Sequence, residues 1–251
     1  SIPHPLMPMP HRTIRGRIVY TSRKPGREGQ VRGDERFTIT VHGDGTRTLR
    51  ATCEIWDPPT VLRDVTLTLG ADHAPRDAFV RLTVADQFVG SSWFLFGEHE
   101  ALCEGLTRAE GRITQRLPLA RRAPAFGAHP IQSDAWMTRL VPPDGARGPA
   151  PRQTGILLPS VDHRGATGPM LVTHPGATIS FVGRETIDVP AGRFDAFHYR
   201  FIERSEDEST SRNAPGEHPP YELWCTADDE RILLRSIATG YMQTQYELAE
   251  L

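Results

Sequence analysis

The chain has 251 residues, 38% of them hydrophobic and 24% charged, which is enough for one large β domain or two small ones and excludes a disordered chain. The formal net charge of −2 leaves no electrostatic reason to expect nucleic acid. No apolar run approaches the ~18–20 residues of a membrane-spanning helix. Lys24 is the only lysine among 29 basic residues. Positive charge in any pocket is therefore a planar, permanently ionised guanidinium, suited to carboxylates and aromatic faces.

Residues 1–11 carry four prolines and cannot form a helix or a central strand, so they read as an extended arm. The same stretch lacks the charged-then-apolar order of a signal peptide, which points to the cytoplasm. A mature protein whose signal had been removed would look the same and would be periplasmic. Arg12–Thr21 reads as a first strand, ended by Lys24-Pro25-Gly26. Glu35–His42 and Thr46–Trp56 flank Gly43-Asp44-Gly45, a strong hairpin signal. Strand-like runs follow at Val61–Leu69, Ala78–Ala85, Ser91–Phe96, Ala101–Leu106 and Gly111–Leu117.

The segment 118–176 is different, rich in Pro, Gly, Ala and His. Within it Pro130–Leu140 is the best helix candidate, with Ile131, Ala135, Met137 and Leu140 as a rough apolar stripe. A long irregular insert of this kind is where a lid or a cavity-lining loop is found. Beyond it, Thr178–Val182, Arg184–Val189, Phe194–Ile202, Tyr221–Thr226, Arg231–Ala238 and Tyr241–Leu248 read as strands joined by short turns, an antiparallel meander. Residues 205–220 read as a polar, acidic, mobile loop. The expected fold is all-β: a single antiparallel barrel or half-barrel domain over 1–251, with the loop and short-helix insert at 118–176.

The stretch Ile187-Asp188-Val189-Pro190-Ala191-Gly192-Arg193-Phe194-Asp195-Ala196-Phe197 resembles a broad group of bacterial proteins of unknown function. They have a lipocalin-like or lipoprotein-carrier-like barrel, often half open. The strand Glu222-Leu223-Trp224-Cys225-Thr226 and the closing Tyr246-Glu247-Leu248 fit the same pattern. The resemblance covers about a third of the chain and carries no catalytic motif. It implies a cavity for an apolar or aromatic small molecule and leaves open whether chemistry happens there, since some related barrels are cofactor-independent lyases, isomerases or cyclases.

Candidate chemistry is spread along the strands. His198 and Arg200 share one face of Phe194–Ile202, with Phe197, Tyr199 and Phe201 on the other. Imidazole is the side chain best suited to acid–base work near neutral pH. Arg50 and Glu54 share a face with Thr48, Thr52 and Trp56, too polar for a dry core. That face is either solvated or lines a cavity where a guanidinium fixes an oxyanion. His129, Asp134 and Trp136 lie on or beside the candidate helix, where Asp134 either raises the basicity of the imidazole or caps the helix. Arg235, alternating with Leu233 and Ile237, needs a carboxylate or a ligand as partner. Trp93, Phe94, Phe96, Tyr221, Trp224, Tyr241 and Tyr246 are pocket or core aromatics. Asp162, His163 and His174 fit no zinc spacing, so no metal is expected. Cys53, Cys103 and Cys225 read as small buried hydrophobes.

No nucleophile elbow, phosphate loop, dinucleotide fingerprint or His-Glu-x-x-His motif is present, so nucleotide enzymes and the common hydrolases are disfavoured. The expected function is a cofactor-independent lyase- or isomerase-type proton transfer on a moderately apolar, aromatic small molecule. His198 or His129 is the expected base, and Arg50 or Arg235 with a tyrosine stabilises negative charge. Glu54, Trp93, Tyr199, Tyr221, Trp224, Asp134 and Trp136 are the expected substrate-binding residues. The alternative is a non-catalytic small-molecule or lipid carrier with the same cavity, the two differing in whether His and Arg side chains converge in it. A third reading is an envelope or assembly protein with exposed β edges. The expected partner is a small-molecule ligand or substrate, and a homodimer is compatible with each reading.

Overall fold

Alternation of apolar and polar side chains puts most of the chain into strands whose alternate residues face a common core. The computed structural model describes residues 10–144, 152–160, 169–174, 176–202 and 219–251. The strands before the insert are β1 (His11–Ser22), β2 (Val31–His42), β3 (Arg47–Ile55), β4 (Val61–Leu69), β5 (Pro75–Val84), β6 (Gln87–Phe96), β7 (Glu100–Thr107) and β8 (Gly111–Pro118). The insert contributes α1 (Ile131–Met137), a 3-10 turn at Thr138–Leu140, and the short strands β9 (Arg152–Gln153), β10 (Leu157–Leu158) and β11 (Val172–Thr173). Then come β12 (Ala177–Val189), β13 (Gly192–Ile202), β14 (Tyr221–Thr226), β15 (Leu233–Ala238) and β16 (Thr244–Glu250).

Fourteen of these strands form one sheet in the order β8-β7-β6-β5-β4-β3-β2-β1-β16-β15-β14-β13-β12-β9. Two meanders therefore run outward from a central seam between β1 and β16. The seam is antiparallel, with Ile18 opposite Leu248 and Tyr20 opposite Tyr246. The two tyrosine rings meet edge-on at 4.9 Å. The sheet is not closed, so the fold is a half-barrel. At Gly16 a side chain would meet the Phe37 ring at 2.3 Å, so only glycine lets that ring lie across β1.

The expected strands agree closely with those found. The hairpin at Gly43-Asp44-Gly45 is closed by His42 N donating to Thr46 O at 2.9 Å. One reading is corrected: Thr178–Val182 and Arg184–Val189 are a single strand, β12. The register shifts between Phe181 and Gly183, so the glycine marks a bulge rather than a turn. Residues 1–9 of the expected arm, 205–218 of the expected mobile loop, and Asp162 and His163 lie outside the described residues. No helix among the described residues is long and apolar enough to cross a membrane.

The insert crosses the half-barrel and puts α1 against β14 and β15. Pro130 opens this helix, and no local side chain caps it. The cap comes instead from β2. Glu35, fully buried, accepts from the backbone N–H of Ile131 (2.7 Å) and Gln132 (3.0 Å). Tyr20 Oη (3.1 Å) and Cys53 Sγ (3.6 Å) donate to the same carboxylate. A helix start buried without such acceptors would leave several N–H groups unsatisfied. Gln132 then pins the helix to the turn before β15, donating to Arg231 O (3.0 Å) and accepting from Leu233 N (2.9 Å).

Removing the acceptor strands buried donors at about 1–3 kcal/mol each. Glu35→Ala is expected to lower unfolding stability by about 2–4 kcal/mol, and Glu35→Gln, which keeps one acceptor oxygen, by about half as much or less. Urea unfolding of the three proteins checks this. Equal stability of wild type and the alanine variant would mean that the helix is held by something else.

Candidate functional site

With α1 fixed, the 3-10 turn that follows it carries Arg139 toward the ends of β3 and β4. Four cationic or potentially cationic side chains gather there. Arg47 opens β3, His73 lies in the β4–β5 turn at φ +63°, and Arg231 lies in the β14–β15 turn at φ +51°. Arg47 and Arg231 are each only 9% exposed. Arg47 Nη1 lies 3.1 Å from His73 Nε2. A guanidinium has no acceptor, so His73 Nε2 must supply the lone pair and the ring is neutral. Arg231 Nη1 donates to Tyr199 Oη (3.3 Å), which itself donates to Val141 O (2.9 Å). Its guanidinium also covers the Phe197 ring at 4.5 Å.

The negative charge nearby is limited. Glu230 is bonded to Arg12 and lies 3.8 Å from Arg47 Nε. Asp72 is held by Arg76 at 2.8 and 2.9 Å, and Asp229 is exposed. Burial, then repulsion from Arg47 and Arg231, pulls the Arg139 guanidinium down to about 10. Burial, then repulsion from Arg139 and Arg47, pulls His73 down to about 4. Arg139 Nε and Nη2 are buried without a hydrogen-bond partner among the described residues. Arg139 lines a cavity of about 100 Å³ whose apolar wall includes Leu67, Leu69, Phe126, Trp136, Met137 and Leu140, with Asp72, His73 and Ser133 as further polar lining.

Most of the residues singled out in the sequence lie elsewhere. Trp136 does line this cavity, and its Nε1 donates to Glu230 O (3.2 Å). Tyr199 is buried beside Arg231. Tyr221 is buried and stacks on Phe201 at 4.7 Å. His129, at φ +75°, and Asp134 flank and begin α1, both half-buried. Arg50 and Glu54 lie on the outer face of the sheet, where Arg50 lines an open groove. Both are exposed on the outer face, where Arg50 donates to Thr40 Oγ1 (3.1 Å) and Glu54 accepts from Trp56 Nε1 (3.2 Å). Trp93 is also exposed.

His198, Trp224 and Arg235 do come together, on one cross-strand row of β13, β14 and β15. The imidazole stacks on the indole at 4.1 Å. Glu185 Oε1 and Glu222 Oε2 lie 3.5 Å from its two nitrogens. Burial lowers the His198 pKa against the opposing pull of both carboxylates. Arg235 donates to Glu247 (2.9 Å) and to Asp188 O (2.8 Å). This row lines neither the interior cavity nor the groove on the outer face. Nothing in the local sequence marks Arg47, His73, Arg139 and Arg231. Arg47 opens a strand and the other three lie in turns, where charged residues ordinarily meet water.

A histidine depressed in the folded state stays neutral while the unfolded chain takes up a proton. His73 therefore contributes stability above about pH 6.5 that is lost as pH falls toward 4. His73→Asn, which tolerates the left-handed backbone, is expected to flatten the fall in unfolding stability across that window relative to wild type. Urea unfolding at pH 7, 5.5 and 4 measures it. Parallel curves would mean that His73 titrates normally.

No protein-family model matches the chain, and no curated protein matches it. Among solved structures the chain is similar to a β-barrel-like protein of the domain of unknown function DUF1849 from Brucella abortus. The TM-score is 0.56 at 12% sequence identity, over 95% of this chain and 94% of that one. At that identity the likeness is one of fold: a bacterial β-barrel-like architecture spanning nearly the whole chain.

Proposed function

We propose that the protein is a non-catalytic binding protein for a small apolar monoanion, held inside the half-barrel. The observation that carries this reading is Arg139, which lines the cavity and whose Nε and Nη2 atoms are buried without partners among the described residues. A buried guanidinium left unsatisfied is costly, and a carboxylate accepting from it relieves that cost with charge-assisted hydrogen bonds. Arg47 and neutral His73 back the same corner. The cavity, at about 100 Å³, is smaller than the roughly 150 Å³ that holds benzene. A carboxylate with a few carbons fits it, and an aromatic ring does not without displacing the insert.

The proton-transfer reading keeps one specific support, His198 between Glu185 and Glu222 with Arg235 one strand beyond Trp224. Of the alternative pairs of one histidine and one arginine, His198 and Arg235 share a cross-strand row two strand spacings apart. Arg50 on β3 is six strand spacings along the sheet from His198 on β13. Binding with orientation, and no bond-making, is the simpler use of the interior.

Titration calorimetry with propionate and butyrate tests the binding reading. Saturable binding is expected, weakened at least tenfold in Arg139→Gln. It is also expected to raise the His73 pKa, because a bound anion favours the imidazolium. Absence of saturable binding at millimolar ligand, or equal affinity in the variant, would overturn it.

A further inference from the structure

The outer face carries a second arrangement, unconnected with the interior. Arg15, Thr38, Arg50, Thr66, Phe79 and Trp93 form one straight cross-strand row over β1 to β6, each the register partner of the next. Strands lie ~4.8 Å apart, so Arg15 and Arg50 stand about 10 Å apart with Thr38 between them. Phe79 lies two further spacings away. The first five residues of the row line a groove of about 630 Å³, within the usual range for a bound small molecule. Phe79 and Trp93 are each 45% exposed, unusual for adjacent aromatics on a wet sheet face.

The charges in the groove divide into two kinds. Arg17 is paired with Asp34 and Glu250, at 2.8 and 3.2 Å, and Arg36 lies 3.4 Å from Asp34. Asp64 accepts from Thr52 Oγ1 at 3.0 Å. Arg15 and Arg50 have no carboxylate partner among the described residues; Arg50 is bonded only to Thr40. The groove thus offers two guanidiniums without a carboxylate partner at one end and one exposed aromatic ring, Phe79, at the other, with Trp93 beside it on the next strand and Asp64 held by Thr52 along the side. Its concavity suits a single elongated molecule better than the plane of a bilayer.

We propose that this groove binds an anionic single-chain amphiphile. Its phosphate, sulfate or carboxylate head sits over Thr38 between Arg15 and Arg50. Its apolar chain crosses Thr66 to reach Phe79 and Trp93, three to four strand spacings or roughly 14–19 Å away. Paired guanidiniums recognise an oxyanion by directed hydrogen bonds, and burying the chain on the two rings adds the apolar contribution. This site is separate from the one around Arg139.

Titration calorimetry with n-decyl phosphate below its micelle concentration tests the proposal, with inorganic phosphate and decyl maltoside as the two half-ligands. Decyl phosphate is expected to bind saturably, at least tenfold tighter than either half-ligand, and more weakly as salt rises. The double variant Arg15→Gln/Arg50→Gln is expected to lose at least tenfold in affinity, and Phe79→Ser at least threefold. All these positions are exposed, and circular dichroism is expected to match wild type. Arg139→Gln is expected to leave this binding unchanged. Unchanged affinity in the double variant would overturn the proposal. So would equal affinity for inorganic phosphate, or binding to anionic vesicles with none to the monomeric amphiphile. Loss of binding in Arg139→Gln instead would place the amphiphile in the interior, sinking this site while supporting the other.

Discussion

The half-barrel depends on a carboxylate buried under the start of a short helix. An open sheet cannot cover its own concave face, and here the insert does so, held at the start of α1 by Glu35. Burial pushes the Glu35 pKa up while the two backbone N–H groups, Tyr20 and Cys53 pull it down. On balance its pKa is raised, and its oxygens accept from the four donors arranged around it. A seven-residue helix is too short to be stable alone. Glu35 from outside the helix, and Gln132 by reaching out of it to Arg231 and Leu233, supply what its length does not, and Arg139, Trp136 and Leu140 take their positions from that anchoring.

A second consequence concerns charge. Arg47 and Arg231 are buried, and Arg139 is half-buried. Lysines in such positions could shed their protons under mutual repulsion, whereas arginines keep their charge. The cluster consequently stays cationic, and the neighbouring imidazole yields instead, remaining neutral. The corner of the cavity is thus positively charged over the whole physiological range.

The strands were legible in the sequence because period-two alternation is strong from residue 35 to 117 and again from 178 onward. Val61–Leu69 and Tyr221–Thr226 match the strands residue for residue. The helix was legible as an element, but its buried face was not. Gln132, Ser133 and Thr138 are buried, and a hydrophobic stripe drawn through Ile131 and Met137 treats such residues as exposed. The same bias hid Glu35, Arg47 and Arg231, since polarity reads as surface unless the partner is known. For Arg50 the alternation gave the right partition of residues between two faces and no means of telling which face was wet. Sheet order was beyond local reading altogether: no turn joins β1 to β16, and only tertiary register reveals their pairing.

That central seam has a cost during synthesis. β1 emerges early and soon gains β2 on one side. Its other edge belongs to β16, which comes from the opposite end of the described chain. Until then a twelve-residue strand at the middle of the final sheet has a row of open backbone donors and acceptors, the kind of edge to which foreign strands add. Such long-range pairing is slow to form. The nascent protein is therefore most vulnerable to aggregation along what becomes its best protected line, and a chaperone that shields β1 would do more for its yield than one acting on the insert.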